Sequence, residues 1–369
     1  MTDYFIGLMS GTSLDGIDAV LVDFSNKQPL LVEAHSHSFP KTLQQELLDV
    51  IQPDWKGSLL TIGTLNQKLG RVFSEAVNNL IKNSSISSRQ VKAIGSHGHT
   101  LWHQPTGEYP FSLQLGDANL ISELTGITTV ADFRSRDIAA GGQGAPLAPA
   151  FHRKFLTHPS KDRIVLNIGG IANITYLPSK ENKSTDVYGF DTGPGNGLID
   201  AWITKIKNEK YDRKGRWARS GNINPHLLKI LLNESYFSLS PPKSTGKELF
   251  NLNWLEKKLG NDASTHRPED IQATLTALTA KAIADNCINT TCKEILVCGG
   301  GIHNEYLIEL LSNYLPNITI LSSETANINP DWMEAIAFAW LAKQTLERKY
   351  GNLPDVTGAK GPRILGAIY

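Results

Sequence analysis

MTDYFIGLMSGTSLDGIDAVLVDF, residues 1–24, opens the chain and fixes the architecture that follows. Residues 4–9 and 17–24 have the pattern of two apolar strands, and the Asp15-Gly16 pair between them is typical of a β-hairpin turn. The turn is rich in small and hydroxyl residues, so successive backbone N–H groups can point at an anion such as phosphate. The segment predicts a phosphate-binding hairpin; a plain glycine-rich turn is the alternative.

The same turn has the glycine spacing of a Walker loop but lacks the other residues that such a loop requires. Gly11 and Gly16 have the G-x-x-x-x-G spacing, but Ile17 and Asp18 stand where that loop requires Lys and Ser or Thr. A strand also follows where a helix is required. The P-loop class of nucleotide-binding proteins is therefore excluded.

Composition limits the class of protein further. The chain has 369 residues, a length that favours two domains. Its 36 basic and 36 acidic residues balance, so there is no net positive charge to attract nucleic acid or an anionic membrane. The first residues have no charged segment before an apolar core, and no apolar run approaches about 18 residues, so neither a secretory leader nor a membrane-spanning helix is expected. Cys287, Cys292 and Cys298 fit neither a disulfide framework nor a zinc site. We expect a cytoplasmic protein.

The hydrophobic pattern alternates between strands and helices, which predicts an α/β fold. From Ile164 the pattern of the first hairpin recurs. IVLNIGG (164–170) has the pattern of a strand followed by a glycine turn, and IANITYL (171–177) has the pattern of the return strand. Two such hairpins, about 150 residues apart, predict two related domains. We place them at 1–135 and 136–344, with a glycine-rich hinge near the boundary and a tail, from about 345 to 369, packed back on the first.

Asp191, in GFDTGPGN, is the strongest candidate for catalysis. It follows an apolar pair and precedes a glycine-rich helix entry, where the helix dipole and free N–H groups favour a charged carboxylate. Such a group suits a general base at neutral pH. A plain N-cap aspartate that holds a turn is the alternative.

Several other polar residues, at or near breaks in the hydrophobic pattern, are further candidates for function. His97, His99 and His103 could bind a metal, hydrogen-bond a sugar or serve the structure alone, and no acidic residue or Cys near them in sequence completes a metal site. Arg134 and Arg136, beside the hinge, could bind a carboxylate or form surface ion pairs. Glu334 either faces a cleft or opens the last helix. Lys243, Ser244 and Lys247 could reach a nucleotide.

Eight motifs resemble, in order, those of the anhydro-N-acetylmuramic acid kinase family, within the clan of sugar kinases, actin and Hsp70. They are MSGTSLDGID (9–18), SHGHT (96–100), DFRSRDIAAGGQGAPL (132–147), NIGGIANIT (167–175), GFDTGPGN (189–196), PPKSTGKELF (241–250), DIQATLTALTA (270–280) and CGGGIHN (298–304). The likeness runs along essentially the whole chain. One departure is His99, where the family more often has Gln.

The resemblance implies a two-domain, actin-like ATPase architecture of the ribonuclease H-like type, with a central interdomain cleft. It implies an enzyme of peptidoglycan recycling that uses ATP and Mg²⁺. Water would open 1,6-anhydro-N-acetylmuramic acid, and O6 would be phosphorylated to give N-acetylmuramic acid 6-phosphate. An ordinary hexose or polyol kinase, or an actin-like or chaperone-like ATPase, is the alternative. The partner is the small sugar; a homodimer is left open.

The resemblance also assigns roles by position, with Asp191 as the base that takes a proton from water. No direct metal ligand is assigned, although Asp15 could contact Mg²⁺ through water. The residues expected to bind nucleotide are Gly11, Thr12, Ser13, Leu14, Asp15, Gly16, Ile17, Asp18, Gly169, Gly170, Asn173, Gly299, Gly300 and Gly301. Those expected to bind the sugar are Ser96, His97, Gly98, His99, Thr100, Arg134, Arg136 and Glu334, with one of the arginines on the lactyl carboxylate.

Overall fold

The computed structural model describes residues 2–11, 14, 16–52, 55–241, 243–260 and 266–369. The strands are β1 (Tyr4–Ser10), β2 (Gly16–Asp23), β3 (Leu30–Ser38), β4 (Val91–Gln104), β5 (Phe111–Leu115), β6 (Thr129–Ala131), β7 (Arg163–Ile168), β8 (Ile171–Leu177), β9 (Tyr188–Pro194), β10 (Glu294–Cys298), β11 (Thr319–Ser322) and β12 (Ala367–Ile368). The helices are α1 (Lys41–Val50), α2 (Leu59–Asn83), α3 (Ala118–Thr125), α4 (Ser135–Ala139), α5 (Ala148–Leu156), α6 (Gly197–Lys207), α7 (Arg216–Ser220), α8 (Pro225–Leu232), α9 (Leu252–Leu259), α10 (Pro268–Cys287), α11 (Glu305–Tyr314), α12 (Met333–Leu346) and α13 (Pro354–Thr357).

The chain divides into two compact units. Unit 1 comprises Met1–Phe151 and Asn327–Tyr369, and unit 2 comprises His152–Ala326. Each is built on a sheet flanked by helices, so the predicted two-domain α/β class is confirmed. Within the described ranges, no helix has both the length and the apolar character needed to cross a membrane.

The sheet of unit 1 begins with an antiparallel meander of β1, β2 and β3. β4 pairs parallel to β1, and β6 pairs parallel to β4. β5 and β12 then extend this sheet as antiparallel neighbours of β4 and β6. Beneath the meander, Leu8 and Ile17 pack with Leu69 and Phe73 of α2 in one apolar core.

The sheet of unit 2 repeats this plan. β7, β8 and β9 form an antiparallel meander, β10 pairs parallel to β7, and β11 pairs parallel to β10. α10 is buried on both sides, because Ala280 and Ile283 face the core under the sheet while Leu275 and Leu278 join a second core with α6, α8 and α9. The two glycine turns noted in the sequence therefore occupy equivalent places, at the first bend of each meander.

The domain limits differ from those predicted. Residues 136–151 and α12 belong to unit 1 rather than to the second domain, because α12 packs on β1 and β4. The tail lies in the same unit, where β12 pairs with β6. β4 runs from Val91 to Gln104, so that SHGHT lies inside a strand.

Two glycines allow α12 to lie close to the sheet. A Cβ at Gly7 would stand 1.8 Å from the carbonyl oxygen of Ala335, and one at Gly95 would stand 2.0 Å from that of Phe338. Real Cβ atoms do not approach backbone oxygen so closely. Any side chain at either position would push the helix away from β1 and β4.

Substitution of Gly95 tests this contact. We expect Gly95→Ala to destabilise the protein by about 1–3 kcal/mol through overpacking, measured as a lower midpoint of urea denaturation. Gly63→Ala on α2 is the control, because a Cβ there meets no atom within 4 Å and should stabilise the helix by about 0.5–1 kcal/mol. An unchanged midpoint for Gly95→Ala would contradict the close packing.

Candidate active site

Asp191 lies in the middle of β9 and is held by three hydrogen bonds. Its N–H donates to the carbonyl of Lys243 at 3.2 Å, and its carbonyl accepts from the Tyr236 hydroxyl at 2.7 Å. Its Oδ2 accepts the N–H of Thr245 at 3.0 Å. Since both backbone groups are also bonded, the side chain extends from a fixed stretch of strand.

The pKa of Asp191 suits proton transfer at neutral pH. Burial raises it to about 6, the N–H bond from Thr245 opposes that rise, and the negative charge of Glu248 adds to it. The group is therefore ionised at pH 7 but remains basic enough to accept a proton.

Two asparagines stand beside this aspartate. Asn167 of β7 is paired with Asn173 of β8, which is paired in turn with Asp191 of β9. Residues directly opposite each other in a sheet project from the same face. A row of two amides and one carboxylate therefore crosses unit 2, and Asn167 is a member that the sequence did not single out.

The glycine turn of unit 2 is tied to the start of α6. The carbonyl of Gly169 accepts from the N–H of Asn196 at 2.7 Å, and that of Gly170 accepts from Gly195 and Gly197, both at 3.0 Å. The turn is consequently held against the first residues of the helix. A Cβ on Gly169 or Gly170 would meet protein atoms no nearer than 3.7 Å.

The three glycines after β10 differ from one another. A Cβ on Gly299 would stand 2.4 Å from Oδ1 of Asn167, and one on Gly301 would stand 2.3 Å from Cγ2 of Ile168, so packing requires both. A Cβ on Gly300 would meet only Asn196, at 4.0 Å. Gly169, Gly170 and Gly300 are thus the predicted nucleotide glycines of unit 2 that leave room for a ligand.

The first hairpin is described in part. Thr12, Ser13 and Asp15 lie outside the described residues. Met9 pairs with Asp18 at its base, and Gly16 is required because a Cβ would stand 2.3 Å from the carbonyl oxygen of His37.

Two predicted nucleotide residues of this hairpin have buried side chains. Those of Leu14 and Ile17 lie in the apolar core, so the prediction that they bind nucleotide can hold only for their backbone. Gly11 accepts the N–H of Leu14 through its carbonyl at 3.4 Å. Asp18 is half-buried.

The predicted sugar residues of β4 form a connected group. Ser96, His97 and Gly98 line a cavity of about 330 Å³ in unit 1. Ser96 is fully buried, and its Oγ has no hydrogen-bond partner within the described part of the chain. His99 Nδ1 lies 3.1 Å from Ser10 Oγ, and Thr100 Oγ1 accepts from Gln114 at 3.2 Å.

Both buried histidines of this group are neutral. Burial lowers the pKa of His99 to about 4, and burial followed by the charge of Arg134 holds the pKa of His97 well below its usual value. His97 Nδ1 lies 2.9 Å from the carbonyl of Gly98, to which it donates, so its Nε2 is an acceptor. Neither ring forms a charged site for an anion.

Arg134 and Arg136 have different surroundings. Arg134 donates to His97 Nε2 from Nη2 at 2.7 Å and from Nε at 3.2 Å, and Nη1 donates to the carbonyl of Gly144 at 2.7 Å. Burial lowers its pKa to about 10, and the charges of Glu334 and Asp137 oppose that change. The guanidinium is charged at neutral pH. Arg136, in contrast, is exposed.

Glu334, at the start of α12, is partly exposed as a residue, while the surrounding protein desolvates its carboxyl group. Desolvation raises its pKa, with Arg134 lowering it and Asp18 raising it further. Glu334 therefore lies within electrostatic range of one residue predicted to bind sugar and one predicted to bind nucleotide.

The residues that sequence reasoning missed lie next to Asp191. Thr245 was not singled out, and Lys243 was considered only as able to reach a nucleotide, but both hydrogen-bond to Asp191 through their backbone. Lys243 Nζ itself lies over the rings of Tyr236 and Phe190, 5.2 and 5.7 Å from their centroids. The sequence feature that could have drawn attention to these residues is the proline-containing PPKSTG segment (241–246), but nothing in that segment indicates a contact with Asp191.

Comparisons with known proteins show the family of the chain. Residues 3–369 match the family model for anhydro-N-acetylmuramic acid kinase. The chain is 50% identical over 368 residues to the "Anhydro-N-acetylmuramic acid kinase" of Coxiella burnetii (strain RSA 493 / Nine Mile phase I), covering 99% of this chain and 97% of that protein. It is 49% identical over 371 residues to the protein of that name from Xylella fastidiosa (strain Temecula1 / ATCC 700964), covering 99% and 96%.

Likeness to solved structures is more distant. The activator of the 2-hydroxyisocaproyl-CoA dehydratase from Clostridium difficile aligns with a TM-score of 0.48 at 13% identity, over 94% of this chain and 97% of that chain. That value is too low to indicate a function. The match along the whole sequence decides the family, and the chain belongs to the anhydro-N-acetylmuramic acid kinases.

Proposed function

We propose that the protein is an ATP-dependent kinase that opens the anhydro bridge of 1,6-anhydro-N-acetylmuramic acid with water and phosphorylates O6. The products are N-acetylmuramic acid 6-phosphate and ADP. The observation that carries this proposal is the family match over residues 3–369, which favours it over an ordinary hexose or polyol kinase and over a shape-switching ATPase.

Asp191 would act as the general base. Its carboxylate removes a proton from the water molecule that attacks the anomeric carbon, and the bond from that carbon to O6 breaks. O6 then attacks the γ-phosphorus of ATP, the bond to the β-phosphate oxygen breaks, and ADP leaves. Asp191 finally returns the proton to solvent. The fixed backbone and the pKa near 6 support this role.

Arg134 would bind the lactyl carboxylate of the sugar. A guanidinium has five N–H donors, and its three hydrogen bonds within the described chain leave two for a ligand. Two parallel N–H bonds match the geometry of a carboxylate. The side chains of Ser96, His99, Thr100 and Glu334 would supply hydrogen bonds to the sugar hydroxyl and amide groups.

The nucleotide phosphates would be bound mostly by backbone N–H groups. In unit 2 the open glycines, Gly169, Gly170 and Gly300, leave room for a phosphate, and Asn173 adds an amide. In unit 1 the turn from Gly11 to Asp18 would supply N–H groups of the same kind. Phosphoryl transfer depends on positioning and on charge stabilisation more than on covalent chemistry.

The residues of unit 1 also fit Mg²⁺. The described residues contain no group of three or more His, Cys, Asp or Glu side chains suited to a metal. Mg²⁺ typically uses one or two carboxylates, with waters and substrate phosphates completing its shell. The half-buried carboxylate of Asp18 would hold the ion. When bound, Mg²⁺ neutralises charge on the phosphates.

The pH profile tests the electrostatics of the base. Because Asp191 must be ionised to accept a proton, kcat/KM should fall below a pKa of about 6, about tenfold per pH unit. Glu248→Gln removes a charge that raises this pKa, so the acid limb should move to lower pH. Glu46→Gln, which removes an exposed carboxylate paired with Lys68 in unit 1, should leave the limb in place. A limb that Glu248→Gln does not move would contradict the assignment.

The isosteric change Asp191→Asn tests the base directly. The amide can still accept the Thr245 N–H but cannot take a proton, so kcat should fall by roughly 10²–10⁴-fold while ATP affinity, measured by calorimetry, stays unchanged. Asp285→Asn on α10 is the matched control, since its carboxylate is exposed and paired with Lys281. Near wild-type turnover of the anhydro sugar by Asp191→Asn would refute this mechanism.

Arginine variants test the carboxylate site. Losing a charge-assisted bond should make Arg134→Ala raise the KM for the substrate by roughly 10–100-fold. The KM for an anhydro sugar without the lactyl group should barely change, and neither should the KM for ATP. Arg136→Ala, two residues further and exposed, is the control. If Arg136→Ala shows the selective effect instead, Arg136 binds the carboxylate.

A further inference from the structure

Asp137 is a fully buried carboxylate that takes no part in the proposed reaction. Its Oδ2 accepts the N–H of Gly144 at 2.8 Å. Its Oδ1 accepts from Asn352 Nδ2 at 2.7 Å and from Thr357 Oγ1 at 2.8 Å. One side of the carboxylate therefore faces the glycine-rich turn after α4, and the other faces the segment around α13.

The turn is shaped around this carboxylate. The N–H of Gly142 donates to the Asp137 carbonyl at 3.0 Å, and a Cβ on Gly142 would stand 2.2 Å from Oδ2. The next N–H, of Gln143, donates to the Thr357 carbonyl at 2.7 Å. Gly144 has a φ of +67°, in the left-handed region that favours glycine. Asp137 and Thr357 together determine where the Gly144 carbonyl points.

Among the described residues, that carbonyl is one of the two groups that accept hydrogen bonds from the guanidinium of Arg134. It accepts from Nη1, while His97 Nε2 accepts from Nε and Nη2. A planar group held on two sides has a fixed direction for its remaining donors. If the Gly144 carbonyl moved, the guanidinium plane of Arg134 would rotate, and the two N–H groups that remain for a ligand would change direction with it.

We infer that Asp137 is the positioning residue for Arg134, and that Thr357 acts on Arg134 through Asp137 and the Gly142–Gly144 turn. This inference rests on the proposed function, in which Arg134 binds the substrate carboxylate. A buried charge is costly to keep unless it is fully hydrogen-bonded. The carboxylate of Asp137 has such bonds, and its charge also stabilises the protonated form of Arg134. Asp137 orients the cation and balances its charge without touching the sugar.

Variants of Thr357 test the inference. Thr357→Val removes one bond to Asp137 with little change of volume, and we expect the KM for the lactyl-bearing anhydro sugar to rise roughly three- to tenfold. The kcat, the KM for ATP and the KM for an anhydro sugar without the lactyl group should stay unchanged. Thr357→Ser keeps the hydroxyl and should restore the wild-type KM.

A second variant and a control complete the set. Asp137→Asn places an amide N–H against the N–H of Gly144, so it should produce the same selective rise, and a larger one, if it folds. Thr345→Val is the matched control, because this buried threonine donates to the carbonyls of Leu341 and Leu365 rather than to Asp137. It should affect both sugars equally or not at all.

A double variant shows whether Thr357 acts through Arg134. The pair Arg134→Ala with Thr357→Val should have the same KM as Arg134→Ala alone, since the second change has nothing left to orient. The inference is overturned if the effects multiply, if Thr357→Val weakens both sugars alike, or if it has no effect. If Arg134→Ala does not itself discriminate between the sugars, the proposed carboxylate site fails instead.

Discussion

The register of three strands is the constraint on which the candidate catalytic face of unit 2 depends. Asn167, Asn173 and Asp191 stand in one row only because β7, β8 and β9 pair at these positions, with a bulge between Ala172 and Asn173. A slip of one residue would turn Asp191 to the opposite face of the sheet. The register is secured beyond the ladder, because Tyr236 and the segment at 243–245 bind the backbone and the side chain of Asp191.

The surroundings of Asp191 also set the pKa of its carboxyl group. Complete desolvation would leave Asp191 protonated at neutral pH, and full hydrogen bonding would make it too weak an acceptor. Burial raises its pKa to about 6, the N–H of Thr245 opposes that rise and the charge of Glu248 adds to it, so the value lies between these extremes. The segment that follows the two prolines therefore both positions the carboxylate and adjusts its basicity.

Much of the fold could be predicted from local pattern. The strands of the two hairpins, β1 with β2 and β7 with β8, follow directly from the apolar pattern and the turn residues, and GFDTGPGN identified Asp191 as a candidate. Contacts distant in sequence could not be predicted in this way. The glycines of CGGGIHN suggested nucleotide, whereas packing on β7 requires Gly299 and Gly301. The last helix was placed in the wrong domain because Gly7 and Gly95, which admit it to the first sheet, lie far away in the sequence.

Around His97 and His99 of unit 1, charge is restricted to few groups. His97 and His99 are neutral, so they act as hydrogen-bonding groups much as an amide would, which makes His99 compatible with a position where the family more often has Gln. The positive charge nearest these rings is then the guanidinium of Arg134. A neutral His97 is also what allows its Nε2 to accept from that guanidinium, because a protonated ring would repel it. Burial of the histidines thus leaves Arg134 as the charged member of this pair of hydrogen-bonded side chains, which is the property that the proposed carboxylate site requires.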